Sequence, residues 1–322
     1  TNSLCITVPN VEPGDTENRK KTADAINEHF ISVASDLPPL DRSGLPAYLP
    51  SPYVCPRVEP HEVYLKLCKI KCNKAGLSDD VPPRIVREFA CEICQPLADI
   101  LNASFQQGIV PWQWKRGQII PIPKCQPPKL DQLRPICLTS QFAKIAESFV
   151  TQWLLDDISK NIDPQQYGNR PGLSTSHYLI KLLHDMYKNC ERSKSISTIV
   201  CTDFSKAFDR LDHNILVKKL IELNVRPFLI DWIISFLEQR LQCVKYQGVL
   251  SEYRNTHFGV PQGTKLGPIL FLIMFNDACQ NIQLPYFKYV DGLTLLENRV
   301  SQDPVSMQNI LTQLTEWSHN NH

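Results

Sequence analysis

No run of the chain approaches the ~20 consecutive apolar residues that a membrane-spanning helix requires, so no membrane-embedded segment is expected. The first residues, TNSLCITVPNVEPGDTENRKK, lack the charged-then-apolar layout of a secretory signal. They also lack an initiator methionine, and the chain reads as a piece of something longer. Internal repeats and low-complexity tracts are missing too, which sets aside solenoids and arrays. Nor is there an excess of charge. The 34 basic and 33 acidic residues leave +1, which by itself gives no support for a polyanionic partner. What remains is a chain of 322 residues, 43% hydrophobic and 21% charged, apolar enough to build a core and long enough for one large domain or two ordinary ones.

Cysteine is plentiful, but its twelve copies are spread over the whole length and several sit inside apolar runs, as in STIVCTDF and LKLCKIKC. Buried thiols in a reducing, intracellular compartment account for that pattern more simply than disulfides. Cys68 and Cys72, then Cys91 and Cys94, have the short spacing of zinc ligands. The same i,i+4 and i,i+3 spacing is what one apolar helix face produces, so zinc is the lesser reading.

Hydrophobic periodicity predicts helices over ENRKKTADAINEHFISVAS, 61–74, 84–107, 140–160, 174–190, 212–223, 227–238, 266–280 and 303–318. Strands are expected over 117–124, 195–204, 241–247 and 253–258, with a hairpin over about 285–297. Residues 35–56 read as a proline-punctuated connector or surface loop. This order suggests an α+β domain whose antiparallel sheet is covered on one face.

Three stretches carry chemistry. CTDFSKAFDRLDH places Asp203 at the exit of a strand, with Phe208 five residues on and Asp209 and Asp212 close behind. Helix capping is the plainer reading of the last two. FGVPQGTKLGPILFLIMFND spells a shaped turn opening into a long apolar helix, whose free N-terminus offers amide donors to a phosphate. Around RGQIIPIPK and QLRPICLTS, Lys115, Arg116, Lys124, Lys129 and Arg134 face a single acid, Asp131, a local excess suited to a triphosphate or a nucleic-acid backbone. Finally FKYVDGLTLLE reads as a hairpin turned on Asp291-Gly292, with glycine supplying the positive φ such turns demand. Two carboxylates from adjacent strands are what a pair of Mg²⁺ ions ~3.5–4 Å apart requires.

In that order the chain closely resembles the reverse transcriptase domain of non-LTR (LINE-type) retrotransposons. The resemblance rests on KAGLSDDVPPRIV, GIVPWQWKRGQIIPIPK, LRPICLTSQFAKIAE, QQYGNRPGLSTSHYLI, TDFSKAFDRLDHNILVKKL, GVPQGTKLGPILFLIMFND and FKYVDGLTLL, over roughly residues 60–320. It implies the fingers and palm of a right-hand polymerase, with an antiparallel palm sheet backed by helices: a connector with one helix over 1–60, fingers over 61–194, and a palm over 195–322 that stops before the thumb. It implies an RNA-directed DNA polymerase using two Mg²⁺ ions, or Mn²⁺, with an RNA template, a DNA primer and dNTPs as partners, and no membrane. A nuclear location is implied as well, although no basic targeting cluster is present.

Carried over residue by residue, the resemblance makes Asp203 and Asp291 the catalytic metal ligands, assisted by the backbone carbonyl of Phe204. Phe208 becomes the gate against a ribose 2′-hydroxyl, Gln262 a wall of the incoming-nucleotide pocket, Lys124 and Arg134 the triphosphate ligands, and Tyr289 the start of the Tyr-x-Asp-Asp box. One position departs from the pattern, because Gly292 stands where that box has its second Asp. The expectation is a polymerase fold with little or no polymerase activity; the alternative is a catalytically dead nucleic-acid-binding remnant of the same fold.

Overall fold

The computed structural model describes residues 15–46, 55–73, 76–77, 80–191, 194–300 and 303–321, together with Ile6 and Leu49. Helix α1 (Thr16–Ser32) is capped by Asp15, whose carboxylate accepts from the Asn18 amide. Helices α2 (Pro60–Cys68), α3 (Pro83–Glu88) and α4 (Ala90–Gln107) follow, and Gly108 at φ +63° closes the last of them. Strands β1 (Arg116–Pro123) and β2 (Leu133–Leu138) lead to α5 (Gln141–Ile158) and α6 (Thr175–Cys190). Next come β3 (Ser195–Thr202), α7 (His213–Glu222), α8 (Pro227–Leu237), β4 (Arg240–Tyr246), β5 (Val249–Leu250) and β6 (Arg254–Thr256). Helix α9 (Gly267–Met274), the hairpin β7 (Tyr286–Tyr289) and β8 (Gly292–Val300), and α10 (Met307–Asn321) complete the chain.

The architecture is α+β, built on two sheets. One is mixed, in the order β2-β1-β4-β5 with β6 also on β4, and β1 runs antiparallel to β2 but parallel to β4. The other is a three-stranded antiparallel sheet, β3-β8-β7. The first sheet joins strands from either side of residue 195, so the expected fingers and palm segments interlock instead of following one another. The antiparallel sheet was expected to be covered on one face. At its centre it is covered on both: β8 is buried continuously from Leu293 to Glu297, because Leu293 and Leu295 join the main core while Leu296 packs with Phe287 and Leu182 of α6, whereas Ile196, Ile199 and Cys201 of β3 stay exposed. An unbroken buried run is what a strand covered on both faces produces.

Other departures have local causes. The helix expected to reach residue 74 stops at Cys68, and the one expected over 84–107 is two helices that meet at Phe89. Strand β2 escapes a periodicity reading because Pro135 interrupts it; in the ladder Pro135 lies opposite Pro121, so two residues without an N–H share one site. Helix α1, read as part of a connector, is built into the fold: Ala23, Ile26 and Phe30 pack with Ile119, Cys137 and Val244. Its Asn27 donates to the Glu252 carbonyl and accepts from Gln242. Residues 1–5, 7–14, 47–48 and 50–54 of the expected connector, and 74–75 and 78–79 of the break after α2, lie outside the described residues. Among the described residues no helix is long and apolar enough to cross a membrane.

One buried cation ties the antiparallel sheet to its surroundings. Lys288 on β7 is fully buried, and its ammonium pairs with Asp163 at 2.7 Å while donating to the Phe275 and Asn276 carbonyls at 3.0 and 2.9 Å. Removing one member of such a pair strands the other charge in a low dielectric. Asp163→Ala is therefore expected to lower the unfolding free energy by about 3–5 kcal/mol. The double change Asp163→Leu/Lys288→Met should be much milder. Denaturant midpoints of the two variants against the parent chain check this, and equal midpoints for both would contradict it.

Candidate active site

The sheet register brings the two acidic candidates to one end of β8. Thr202 pairs with Leu293 across β3 and β8, and Tyr289 pairs with Gly292 across β7 and β8. Asp203 directly follows Thr202 at the end of β3, and Asp291 directly precedes Gly292 at the start of β8. Asp203 is exposed and Asp291 half-buried. Among the described residues neither carboxylate has a hydrogen-bond or ion-pair partner.

The turn that carries Asp291 is framed differently from the expectation. Tyr289 and Gly292 are the paired flanks, so the central residues are Val290 and Asp291. The positive φ, +57°, belongs to Val290, whereas Gly292 does not adopt one. A β-branched residue held there is strained, by an amount on the order of 1–3 kcal/mol. The loop before α6 supplies the restraint. Gln166 Oε1 accepts from the Val290 amide at 3.3 Å and from Gly168 N at 2.9 Å. The Lys288 N–H donates to Gln165, and the Lys288 carbonyl accepts from Tyr167. Gly168 packs so tightly here that a Cβ would lie 2.4 Å from the Val290 nitrogen. At Gly292, by contrast, a Cβ would meet only the Tyr289 carbonyl, at 3.4 Å, so the fold leaves room for a side chain. The Tyr289 ring rests edge-on against Tyr178, whose hydroxyl bonds to Thr294 at 2.6 Å.

After β3 the chain turns sharply and locks onto the segment before α9. The Phe204 ring packs edge-on against Phe275 and Trp317. Phe208 stacks on Phe271 at 4.8 Å, and its carbonyl accepts from Val260 N at 2.8 Å. Gly259 makes the approach possible: it adopts φ +67°, and a Cβ there would lie 2.7 Å from the Asp209 carbonyl. Asp212 is the N-cap of α7, accepting from Asn214 and Ile215, as the capping reading has it. Asp209 is no cap. Its Oδ1 accepts from Gln262 Nε2 at 2.8 Å, and burial pushes its carboxyl up despite that bond and the nearby Lys206 and Lys124.

The helix N-terminus expected to meet a phosphate already holds an internal anion. Glu147 of α5, 1% exposed, accepts the Lys265 and Leu266 amides on Oε2 at 2.6 and 3.1 Å. Thr264 Oγ1 accepts the Gly267 amide. Sequence reading missed Glu147, which sits in an ordinary amphipathic helix and gives no local signal.

The basic cluster also divides. Lys115 is half-buried and burial lowers its pKa, while the Arg116 guanidinium lies over Tyr253 at 4.4 Å. Lys124, Lys129 and Arg134 stay exposed. Arg134 pairs with Ile122 across the β1–β2 hairpin, so Lys124, two residues beyond Ile122, lies on the same face as Arg134. Among the described residues no three His, Cys, Asp or Glu side chains come together as a metal-holding group, whether at Cys68, Cys72, Cys91 and Cys94 or elsewhere.

Residues 122–322 match the family described as Reverse transcriptase (RNA-dependent DNA polymerase). The chain belongs to this family. Its similarity to mobile elements is specific. It is 32% identical over 220 residues to the RNA-directed DNA polymerase from mobile element jockey of Drosophila melanogaster, covering 67% of this chain and 24% of the relative. It is 28% identical over 292 residues to the probable RNA-directed DNA polymerase from transposon BS of the same organism, covering 86% and 32%. The chain thus spans a quarter to a third of the length of these curated relatives. It is a reverse transcriptase domain of the non-LTR retrotransposon kind. Among solved structures, telomerase from Candida tropicalis is similar at TM-score 0.49 and 14% identity, covering 70% of this chain and 43% of that one.

Burial raises the pKa of Glu147 above its ordinary value, more strongly than the two amides and the nearby Arg240 and Lys144 lower it. The folded state therefore holds the proton more tightly than the unfolded chain. Glu147 contributes most below the unfolded carboxylate pKa, and that contribution is lost as pH rises through the raised folded value. Glu147→Gln keeps an acceptor for both amides without a charge. Its denaturant midpoint should match the parent chain near pH 4.5 and exceed it increasingly toward neutrality; a pH-independent difference would contradict the assignment.

Proposed function

We propose that the chain is the fingers and palm of an RNA-directed DNA polymerase, with the nucleotidyl-transfer site at Asp203 and Asp291 and its chemistry weakened by Gly292. The observation that carries this is the pair of unpartnered carboxylates brought by register to one end of β8, within a family that copies RNA into DNA. Adjacent strands run about 4.8 Å apart, a spacing that suits two acidic side chains sharing ions. Open carboxylates with free coordination positions fit Mg²⁺, which takes a few protein oxygens and keeps waters and phosphates, and Mn²⁺ would be held likewise. Asp203, Asp291 and the Phe204 carbonyl would hold the two ions, which when bound lower the pKa of a primer 3′-hydroxyl and stabilise charge on the phosphorus it attacks.

In this reading the 3′-oxygen forms a bond to the α-phosphorus of a dNTP, and pyrophosphate leaves. Lys124 and Arg134, on one face of the exposed β1–β2 hairpin, would neutralise the triphosphate. Phe208, seated on Phe271, would close the pocket against a 2′-hydroxyl. Gln262 and Tyr289 would line it. The fingers centre on the β1–β2 hairpin and the palm on the β3-β8-β7 sheet. RNA template, DNA primer and dNTPs are the partners, and the nucleus is the place where such a template is used.

With glycine at 292 the site has one acidic side chain fewer than the family's box. Each ~1.4 kcal/mol lost in the transition state is tenfold in rate, so a term of several kcal/mol at the metal site gives roughly 10³-fold. Primer extension on an RNA template with Mg²⁺, comparing this chain with Gly292→Asp, tests the reading. The substitution is expected to raise the rate about 10³-fold, and equal rates would refute the impairment. Template binding that falls steeply with salt, with no extension by either chain, would instead favour a nucleic-acid-binding remnant.

A further inference from the structure

The second acid after β3, Asp209, stands apart from both capping and metal binding. Three segments meet around it. Gln262 is fixed through its backbone to the mixed sheet, since its carbonyl accepts from Cys137 N at 2.6 Å and it bridges Ile136 of β2. Its side chain reaches the other way, to Asp209 at 2.8 Å. Asp209 is held in turn: its amide donates to the Lys206 carbonyl at 2.8 Å, and its own carbonyl lies against Gly259. Phe208, the neighbouring residue, is fixed by its stack on Phe271. The gate and the amide are thus set by one turn.

A free glutamine amide rotates among several orientations and presents either pole to a ligand. Here Nε2 is committed to a carboxylate, a charge-assisted bond stronger than a neutral one. Oε1 is the pole left over as an acceptor, and no protein donor among the described residues is bonded to it.

We propose that Asp209 is a positioning residue for nucleotide binding: it orients the Gln262 amide so that an acceptor oxygen, and not a donor, is offered to the sugar hydroxyl or base edge of the incoming nucleotide. This rests on the polymerase reading above. It assigns the nucleotide affinity of the pocket to a pair of side chains, Asp209 and Gln262, of which only the second is expected to touch the ligand.

The test uses the chain bound to an RNA template and a dideoxy-terminated DNA primer, so that dNTP affinity is read without turnover. Asp209→Ala is expected to weaken dNTP binding about tenfold, the weight of one charged hydrogen bond. Affinity for the primer–template should stay within about twofold, since no phosphate contact is removed. Asp209→Asn keeps an acceptor and should restore most of the affinity. Gln262→Glu sets two carboxylates against each other and should weaken binding. Asp209→Asn/Gln262→Glu rebuilds the bond with donor and acceptor exchanged, and should bind more tightly than Gln262→Glu alone. A role confined to folding would move primer–template and dNTP affinity together and would show no recovery in the exchanged pair; that result overturns the proposal, as does an unchanged dNTP affinity in Asp209→Ala. Should Asp209→Ala not fold, the Asn and exchanged variants decide by the same criteria. No ternary complex with the unaltered chain would overturn the polymerase reading itself, an outcome distinct from a ternary complex indifferent to Asp209.

Discussion

The ammonium of Lys288 has to find its partners inside the protein, and the position of Asp291 follows from where it finds them. Three are oxygens: the Asp163 carboxylate and the carbonyls of Phe275 and Asn276 at the end of α9. The faces of Phe275 and Tyr286 lie 5.0 and 5.6 Å from the nitrogen as well. A buried cation without such a shell costs more than a domain can spare, so β7, the loop at 163–168 and the α9 terminus must be assembled together. Once they are, the backbone of Lys288 pairs with Gln165 and Tyr167, and the Gln166 side chain reaches the Val290 amide. The strained φ of Val290 then has its restraint, two residues along from the cation. Such a pair contributes little net stability, but it fixes which segments meet.

Much of this architecture was legible in the chain. The β-branched run before Asp203, the amphipathic periods of α5, α6 and α7 and the apolar run of α8 declare themselves locally, and the structure has them within a few residues. What could not be read locally depends on contact between distant segments. Strand β2 is a strand because Pro135 faces Pro121, a fact of pairing and not of propensity. The hairpin frame was misread because Asp-Gly is the stronger turn signal by itself, whereas the turn sits one residue earlier and the loop at 166–168 holds the positive φ at Val290. Tertiary restraint here overrides turn chemistry. Glu147 and Lys288 escaped notice for the same reason: each is a charged residue in an unremarkable setting until its buried partners are known.

The candidate site divides in a similar way. Motif order and the resemblance it supports put forward Asp203, Phe208, Gln262 and Asp291 as candidates. Their surroundings were not visible from it. The phosphate-ready helix terminus is filled by Glu147, part of the basic excess is spent on Tyr253 and on burial, and Asp209 turns out to hold Gln262. A motif records which residues chemistry needs; it says little about which polar groups the fold has already used.

Gly292 separates the two kinds of demand. Nothing in the backbone requires glycine there: its φ lies outside the left-handed region, its partner across the ladder is an ordinary tyrosine, and a Cβ finds contact distance and not collision. At Gly168 and Gly259 the reverse holds, since a side chain would strike main chain at 2.4 and 2.7 Å. Substitution at those two glycines would be resisted by folding itself. At 292 a Cβ meets its nearest neighbour at ordinary contact distance, so the fold itself does not demand glycine. A change of residue at this position can therefore alter the end of β8 beside Asp291 while leaving the sheet, the buried ion pair and the strained turn intact.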